Sequence, residues 1–163
     1  MEALVRTGIG RLVLIDGDKV TVSNLNRQLI ATQETIGRRK VEVAKERALS
    51  IRPDMQVDTY DIVYTKEAYP DFIKDIKVDF VIDAIDMVTA KLAIIENCQE
   101  LGIPCISSMG TGNKMHPGLL RISDISKTHT CPLAKVIRRE LRKRGIKKQT
   151  VVFSTEKPMT PTR

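Results

Sequence analysis

Tryptophan is absent from this 163-residue chain, and phenylalanine and tyrosine occur only three times each. So few rings provide no stacking platform for bases, and a nucleic-acid partner would have to be held by shape and phosphate contact. Cysteine is also sparse: Cys98, Cys105 and Cys131 form no CxxC pair. That excludes a disulfide framework and a four-cysteine zinc site, and fits a reducing cytoplasm. No zinc is expected. No apolar run approaches the roughly 18 residues of a membrane-spanning helix. The opening "MEALVRTGIG" has no apolar centre of the kind an export signal needs. His116 and His129 are not spaced as ligands with any acid. There is no internal repeat and no low-complexity segment.

What the chain does have is charge in one place. The net charge is +7. Eight basic residues (Lys135, Arg138, Arg139, Arg142, Lys143, Arg144, Lys147 and Lys148) share a stretch with one acid, Glu140. The remaining 19 basic and 19 acidic residues cancel. A polyanion site, if there is one, belongs to that stretch, although a solvated helix face would carry the same residues.

The apolar pattern alternates between strand and helix periods. Strands are predicted at 11–16, 55–63, 78–86, 104–110, 119–125 and 150–158. Helices are predicted at 35–53, 66–76, 88–102 and 131–145. In the first of these, Val41, Ala44, Ala48 and Ile51 share a face; in the last, Leu133, Val136, Ile137 and Leu141 point inward. This alternation predicts an α/β, Rossmann-like fold: a mainly parallel sheet with helices on both faces. Ligands of such sheets sit at the carboxyl ends of the strands. Both 11–16 and 78–86 end in acids.

The stretch "LVLIDGDKVTVSNLNRQ" carries most of the chemistry. It is not a calcium loop, because the glycine position holds Thr21 and the bidentate glutamate position holds Arg27. Nor is "GIGR" (8–11) a dinucleotide turn, since its glycines precede a strand and more plausibly end a helix begun in "EALVRT". Asp16 ends a strand where a carboxylate can accept from ribose hydroxyls. Arg27 offers a planar fork to phosphate, and Lys40, thirteen residues on, offers a point charge. Asp86 at the other acidic strand tip suits magnesium. From the residues alone, a nucleoside triphosphate site and a set of local ion pairs both remain open. Cys98 and Cys105 read as core residues. Cys131, ahead of a basic helix, reads as a non-catalytic residue at a helix start, with an activated thiolate as the alternative.

Together, "LIDGDKVTVSNLNRQ", "GRRKVEVAKERALSIRPDMQV" and "VIDAIDMVTAK" closely resemble the ubiquitin-activating-type (ThiF/MoeB-like) adenylating enzymes. The shared pattern is acid-x-acid, Asn-x-x-Arg-Gln, a lysine thirteen residues past the arginine, and an acid at a later strand end. Residues 121–158 resemble the tRNA threonylcarbamoyladenosine dehydratase branch. The resemblance spans the chain, read as one nucleotide-binding domain over 1–163. It implies ATP and Mg2+ as cofactors, with Asp16 on the ribose and Asn24, Arg27 and Gln28 lining the phosphates. Lys40 would contact the nucleotide and Asp86 would hold the magnesium; Asp18 matches a family acid. Arg27, Lys40 and Asp86 are thus the implied catalytic groups.

The resemblance also implies a tRNA partner, met by the basic helix, and a homodimer. The second reading is adenylation of a ubiquitin-like or sulfur-carrier protein. The third is a non-catalytic fragment. The family's first strand and GxGGVGS-type turn, which supply backbone N–H groups to phosphates, would lie before Met1. The chain therefore reads as a truncated member, expected to bind ATP weakly and not to turn over; micromolar affinity by titration calorimetry would refute that.

Overall fold

A computed structural model describes residues 1–160. The chain forms two compact units, Met1–Tyr64 and a second beginning at Thr65. The architecture is α/β with mainly parallel strands.

In unit 1, helix α1 (Glu2–Arg6) leads into strand β1 (Arg11–Ile15), helix α2 (Lys40–Ile51) and strand β2 (Gln56–Tyr60). The "GIG" glycines do follow a short helix and precede a strand. β1 and β2 pair in parallel from Arg11↔Gln56 to Ile15↔Tyr60. Leu12 and Leu14, two apart and so on one face of β1, pack against buried Val5, Ala48, Met55 and Val57. Each such aliphatic side chain removed from water contributes roughly 1.5–3 kcal/mol before conformational entropy is charged.

Helix α2 starts at Lys40, not at 35. Val20 N–H donates to the Arg38 carbonyl and Gly37 N–H to the Val20 carbonyl, each at 2.9 Å. Backbone committed to this antiparallel contact cannot also be helical, and Gly37 adopts a left-handed φ of +86°. Within the helix, Val41, Ala44 and Ala48 are buried as their spacing requires, and Ile51 is partly so.

Unit 2 contains α3 (Phe72–Asp75), β3 (Val81–Asp83), α4 (Val88–Leu101), β4 (Cys105–Ser108), β5 (Leu120–Asp124), α5 (Pro132–Lys143) and β6 (Thr150–Ser154). The strand order is β3-β4-β6-β5, with β5 antiparallel to β6 and the other pairs parallel. The helix expected at 66–76 shrinks to four residues: Pro70 has no N–H to bond back to the Lys66 carbonyl, so the turn over 65–69 does not run on into α3. Gly102 closes α4 in the left-handed region, and Ile103 N–H returns to the Cys98 carbonyl at 2.9 Å. The core joins Leu92 and Ile95 of α4 to Ala134, Ile137 and Leu141 of α5 and to Val151 and Phe153 of β6. Leu133 and Val136 are only partly buried; Ala134 takes the inward place.

Candidate functional site

The end of β1 and the start of α2 meet. Lys40 N–H donates to the Asp18 carbonyl at 3.0 Å, and its Nζ donates to Asp18 Oδ2 at 2.7 Å. Asp16 Oδ2 lies 3.8 Å from the same Nζ, while Oδ1 accepts from the Asp18 N–H at 2.8 Å. Lys40 is buried, Asp16 is half-exposed and Asp18 is largely open to solvent. The structure therefore brings together Asp16, Asp18 and Lys40, with the ammonium below and the oxygens outward.

Gly17, between the two acids, sits against the chain leaving β2. A Cβ placed there would lie 2.6 Å from Val63 Cγ2 and 2.8 Å from Val63 N. Arg39 crosses the same place: it donates to the Gly17 carbonyl at 3.2 Å and pairs with Asp61 at 2.8 Å. Sequence reasoning missed Arg39, because nothing in "GRRK" separates a tethered arginine from a solvated one.

The polar turn that follows is held by its own bonds. Asn24 is buried, and its Oδ1 accepts from the Thr21 N–H at 3.0 Å, capping a short 3-10 turn. Arg27 is exposed, and its guanidinium donates to the Ser23 carbonyl at 2.7 Å and to Asn26 Oδ1 at 3.0 Å. Leu25, Ile30 and Ala31 pack on Val20 and Val43 and so seat this turn on α2. Gln28 Oε1 is buried without a hydrogen-bond partner among the described residues. An amide left incomplete at such a place is one that a polar ligand would complete.

In unit 2 the two acids of the β3 stretch separate. Asp83 is fully buried and pairs with Lys91, also fully buried, at 2.8 Å. Lys91 Nζ donates further to the Ser108 carbonyl at 3.0 Å, and Asp83 Oδ1 accepts from the Ile85 N–H at 3.0 Å. This network anchors the first turns of α4 to the ends of β3 and β4. Asp86, on the loop so positioned, is exposed and has no hydrogen-bond or ion-pair partner among the described residues. Lys91 is the second residue that the pattern did not single out, since a lysine within an apolar helix reads as a surface residue. Among the described residues, no group of three or more His, Cys, Asp or Glu side chains could hold a metal ion. No described helix is long and apolar enough to cross a membrane.

The basic stretch is less uniform than its composition. Arg138 is half-buried and donates to both the carbonyl and the hydroxyl of Thr128, at 2.7 and 2.6 Å. Glu140 gathers Arg139, Lys143 and Arg144, and the last also reaches Glu96 at 2.8 Å. The Glu140 carboxyl is held below the usual range, first by Lys143. Lys135, Arg142, Lys147 and Lys148 are exposed. A furrow of about 680 Å3 runs along α5 past Lys135, Val136, Arg139, Arg142 and Lys143. Cys131 is buried at the helix start, its sulfur accepting from the Ala134 N–H at 3.5 Å.

A mainly parallel α/β sheet with polar residues at its strand tips defines a Rossmann-like protein. The chain belongs to the ThiF family, which matches residues 1–156. It is 47% identical over 159 residues to the tRNA threonylcarbamoyladenosine dehydratase of Bacillus subtilis strain 168, covering 97% of this chain and 62% of that protein. The crystal structure of the Escherichia coli tRNA N6-threonylcarbamoyladenosine dehydratase, TcdA, in complex with ATP superimposes with a TM-score of 0.92 at 36% identity. That match covers 98% of this chain and 69% of the E. coli chain. The same enzyme in complex with AMP gives a TM-score of 0.92 over 99% of this chain. The chain spans about three fifths of the length of the Bacillus relative.

Proposed function

We propose that this chain is the nucleotide-binding domain of an ATP-dependent tRNA threonylcarbamoyladenosine dehydratase acting in the cytoplasm as a homodimer. The observation that carries the reading is 47% identity to such an enzyme over 97% of the chain. The arrangement of the β1 tip supports it. Asp16 and Asp18 present carboxylate oxygens that can accept from ribose hydroxyls, and Lys40 supplies a cation to the phosphates. Arg27 would leave its bonds to Ser23 and Asn26 to take a phosphate oxygen, and Gln28 would complete its amide on the same ligand. Asn24 would act from beneath, by holding the turn. Asp86, exposed on its loop, would hold the magnesium, which would supply Lewis acidity toward the phosphates.

In the reaction proposed, the carboxylate of threonylcarbamoyladenosine on tRNA attacks the α-phosphorus of ATP. A phosphorus–oxygen bond forms and pyrophosphate leaves. A nitrogen of the same side chain then attacks the activated carbonyl, the ring closes and AMP departs, so that water is lost overall. Lys40 and Arg27 act on charge that grows on the phosphate oxygens, and a magnesium ion, if held by Asp86, would supply further positive charge there. The exposed cations of α5 meet tRNA phosphates.

A second reading, adenylation of a small carrier protein's terminal carboxylate, has the support of 35% identity to the E. coli sulfur carrier protein ThiS adenylyltransferase. That match covers 67% of the chain, less than the dehydratase match. A chimera decides between them, with these 159 matching residues exchanged into the Bacillus enzyme. The expected result is cyclic product on tRNA by nucleoside mass spectrometry, lost with Lys40→Ala. Pyrophosphate exchange that responds to a carrier protein and not to tRNA would overturn the proposal.

A further inference from the structure

Strands β3, β4 and β6 run parallel, so the chain leaves all three at one edge of the unit 2 sheet. After β3 comes Asp86, after β4 the turn over 110–116, and after β6 the segment that starts at Thr155. The turn carries Gly110 and Gly112, and Asn113 in it has a left-handed φ of +59°. Most of it is exposed, Met115 to 68%. With so little apolar burial, its shape depends on hydrogen bonds. Its base rests on the start of α5, where Cys131 Sγ lies 3.7 Å from the Gly110 carbonyl oxygen. The turn thus links the edge that bears Asp86 to the helix whose furrow begins at Pro132 and Lys135.

The ties come from the segment after β6. The Met115 N–H donates to the Glu156 carboxylate at 3.0 Å (Oε1) and 3.1 Å (Oε2), and the His116 N–H donates to Oε2 at 2.9 Å. Hydrogen bonds to a carboxylate are stronger than those to a neutral acceptor. The two N–H groups hold the Glu156 carboxyl below the usual carboxylate range. Glu156 is itself fixed, since its N–H donates to Oγ of buried Ser154 at 3.1 Å. Further along, the Met159 N–H donates to the Asn113 carbonyl at 2.7 Å. Lys114 is held more lightly. It is half-buried, and its Nζ donates to the Ser154 carbonyl at 3.3 Å, a long bond. An ammonium has three N–H groups, so Lys114 keeps donors for an incoming carboxylate.

We propose that the 110–116 turn receives the threonylcarbamoyl side chain of the tRNA, that Lys114 binds its carboxylate, and that Glu156 is the positioning residue that holds the turn in place. The proposal rests on the dehydratase reading and adds the part of the site that meets the second substrate. A nucleoside whose flanking phosphates lie along the α5 cations has to be delivered toward the Asp86 edge, and the turn lies between the two. Its ammonium, beside the exposed side chain of Met115, suits a short group that ends in a carboxylate. Glu156 touches no substrate. It acts through the two N–H groups on either side of the Met115 peptide link, the residues next to Lys114.

The test is steady-state kinetics of the full-length chimera described above, with tRNA and ATP varied separately. Glu156→Ala removes both acceptors and should raise the KM for tRNA roughly tenfold, while the KM for ATP stays within about twofold. Glu156→Gln keeps one carbonyl acceptor and should recover part of the loss. Lys114→Met leaves the Glu156 bonds in place and should raise the KM for tRNA by a similar factor, which decides the matter even if Glu156→Ala does not fold. Binding of the same tRNA without its threonylcarbamoyl group, measured by filter binding, should be unchanged in Lys114→Met. An unchanged KM for tRNA in Lys114→Met overturns the proposal, as does an equal rise in both KM values or an equal loss for the unmodified tRNA. In each of those cases cyclic product from the parent chimera leaves the dehydratase reading standing. A parent chimera that forms no cyclic product overturns that reading and this proposal with it.

Discussion

At the residue scale, the site depends on one missing atom. Gly17 allows the tip of β1 to pass directly over Ile62 and Val63, with no room for a methyl group. Because the clash is partly with backbone, no rotamer change relieves it. Gly17→Ala is expected to cost about 1–3 kcal/mol, as overpacking does, and to weaken ATP binding by moving the flanking acids. Denaturant unfolding and calorimetric titration measure the two effects separately. The Asp83–Lys91 pair gives the second prediction. Lys91→Met leaves a fully buried carboxylate without its cation and is expected to cost about 3–5 kcal/mol. Lys91→Met combined with Asp83→Leu should recover much of that, because neither member then stands alone. A double-mutant cycle in chemical denaturation tests this, and a cost that simply adds would contradict it.

At the element scale, α5 displays cations of two kinds. Those gathered by Glu140 are partly neutralised, while Lys135 and Arg142 stand in the open along the furrow. If tRNA lies there, replacing both by Ala should make binding less steep in salt, lowering the slope of log K against log salt by about 1 per lost phosphate contact. Filter binding across a salt series measures it; an unchanged slope would place the RNA elsewhere. Much of this element was legible beforehand. The spacing of Ile137 and Leu141 marked the buried face, and the basic run marked the outer one. What the run could not show is that Arg138 bends back to Thr128, because that partner comes from a separate turn. The same limit explains α2. Its apolar face was readable from Val41 to Ala48, but its start was set by backbone bonds from Val20, a long-range choice that local periodicity does not record. Asp83 and Asp86 are alike as letters, and only the fold assigns one to the interior and one to solvent.

At the scale of the whole molecule, the carboxylates with displaced titration all move the same way. Arg6 and then Arg47 lower Glu2, Arg11 lowers Asp58, and the Met115 and His116 N–H groups lower Glu156. A carboxylate with a depressed folded value binds fewer protons folded than unfolded just below the ordinary range near 4. Its contribution is therefore present above that range and is lost as pH falls through the folded values. The midpoint of urea unfolding should hold steady from pH 7 to about 5 and decline below about 4, and Asp58→Asn should flatten part of the decline. A midpoint that rises on acidification would contradict the assignment. One strand has a place in this larger view. β4 begins at Cys105 and ends at Ser108, whose carbonyl grips Lys91. Four residues, about 13 Å of extended chain, therefore lie between the chain reversal that Gly102 makes and the anchor of the Asp86 loop. The strand is a short rod with a helix end hinged at one end of it and a carboxylate mount at the other.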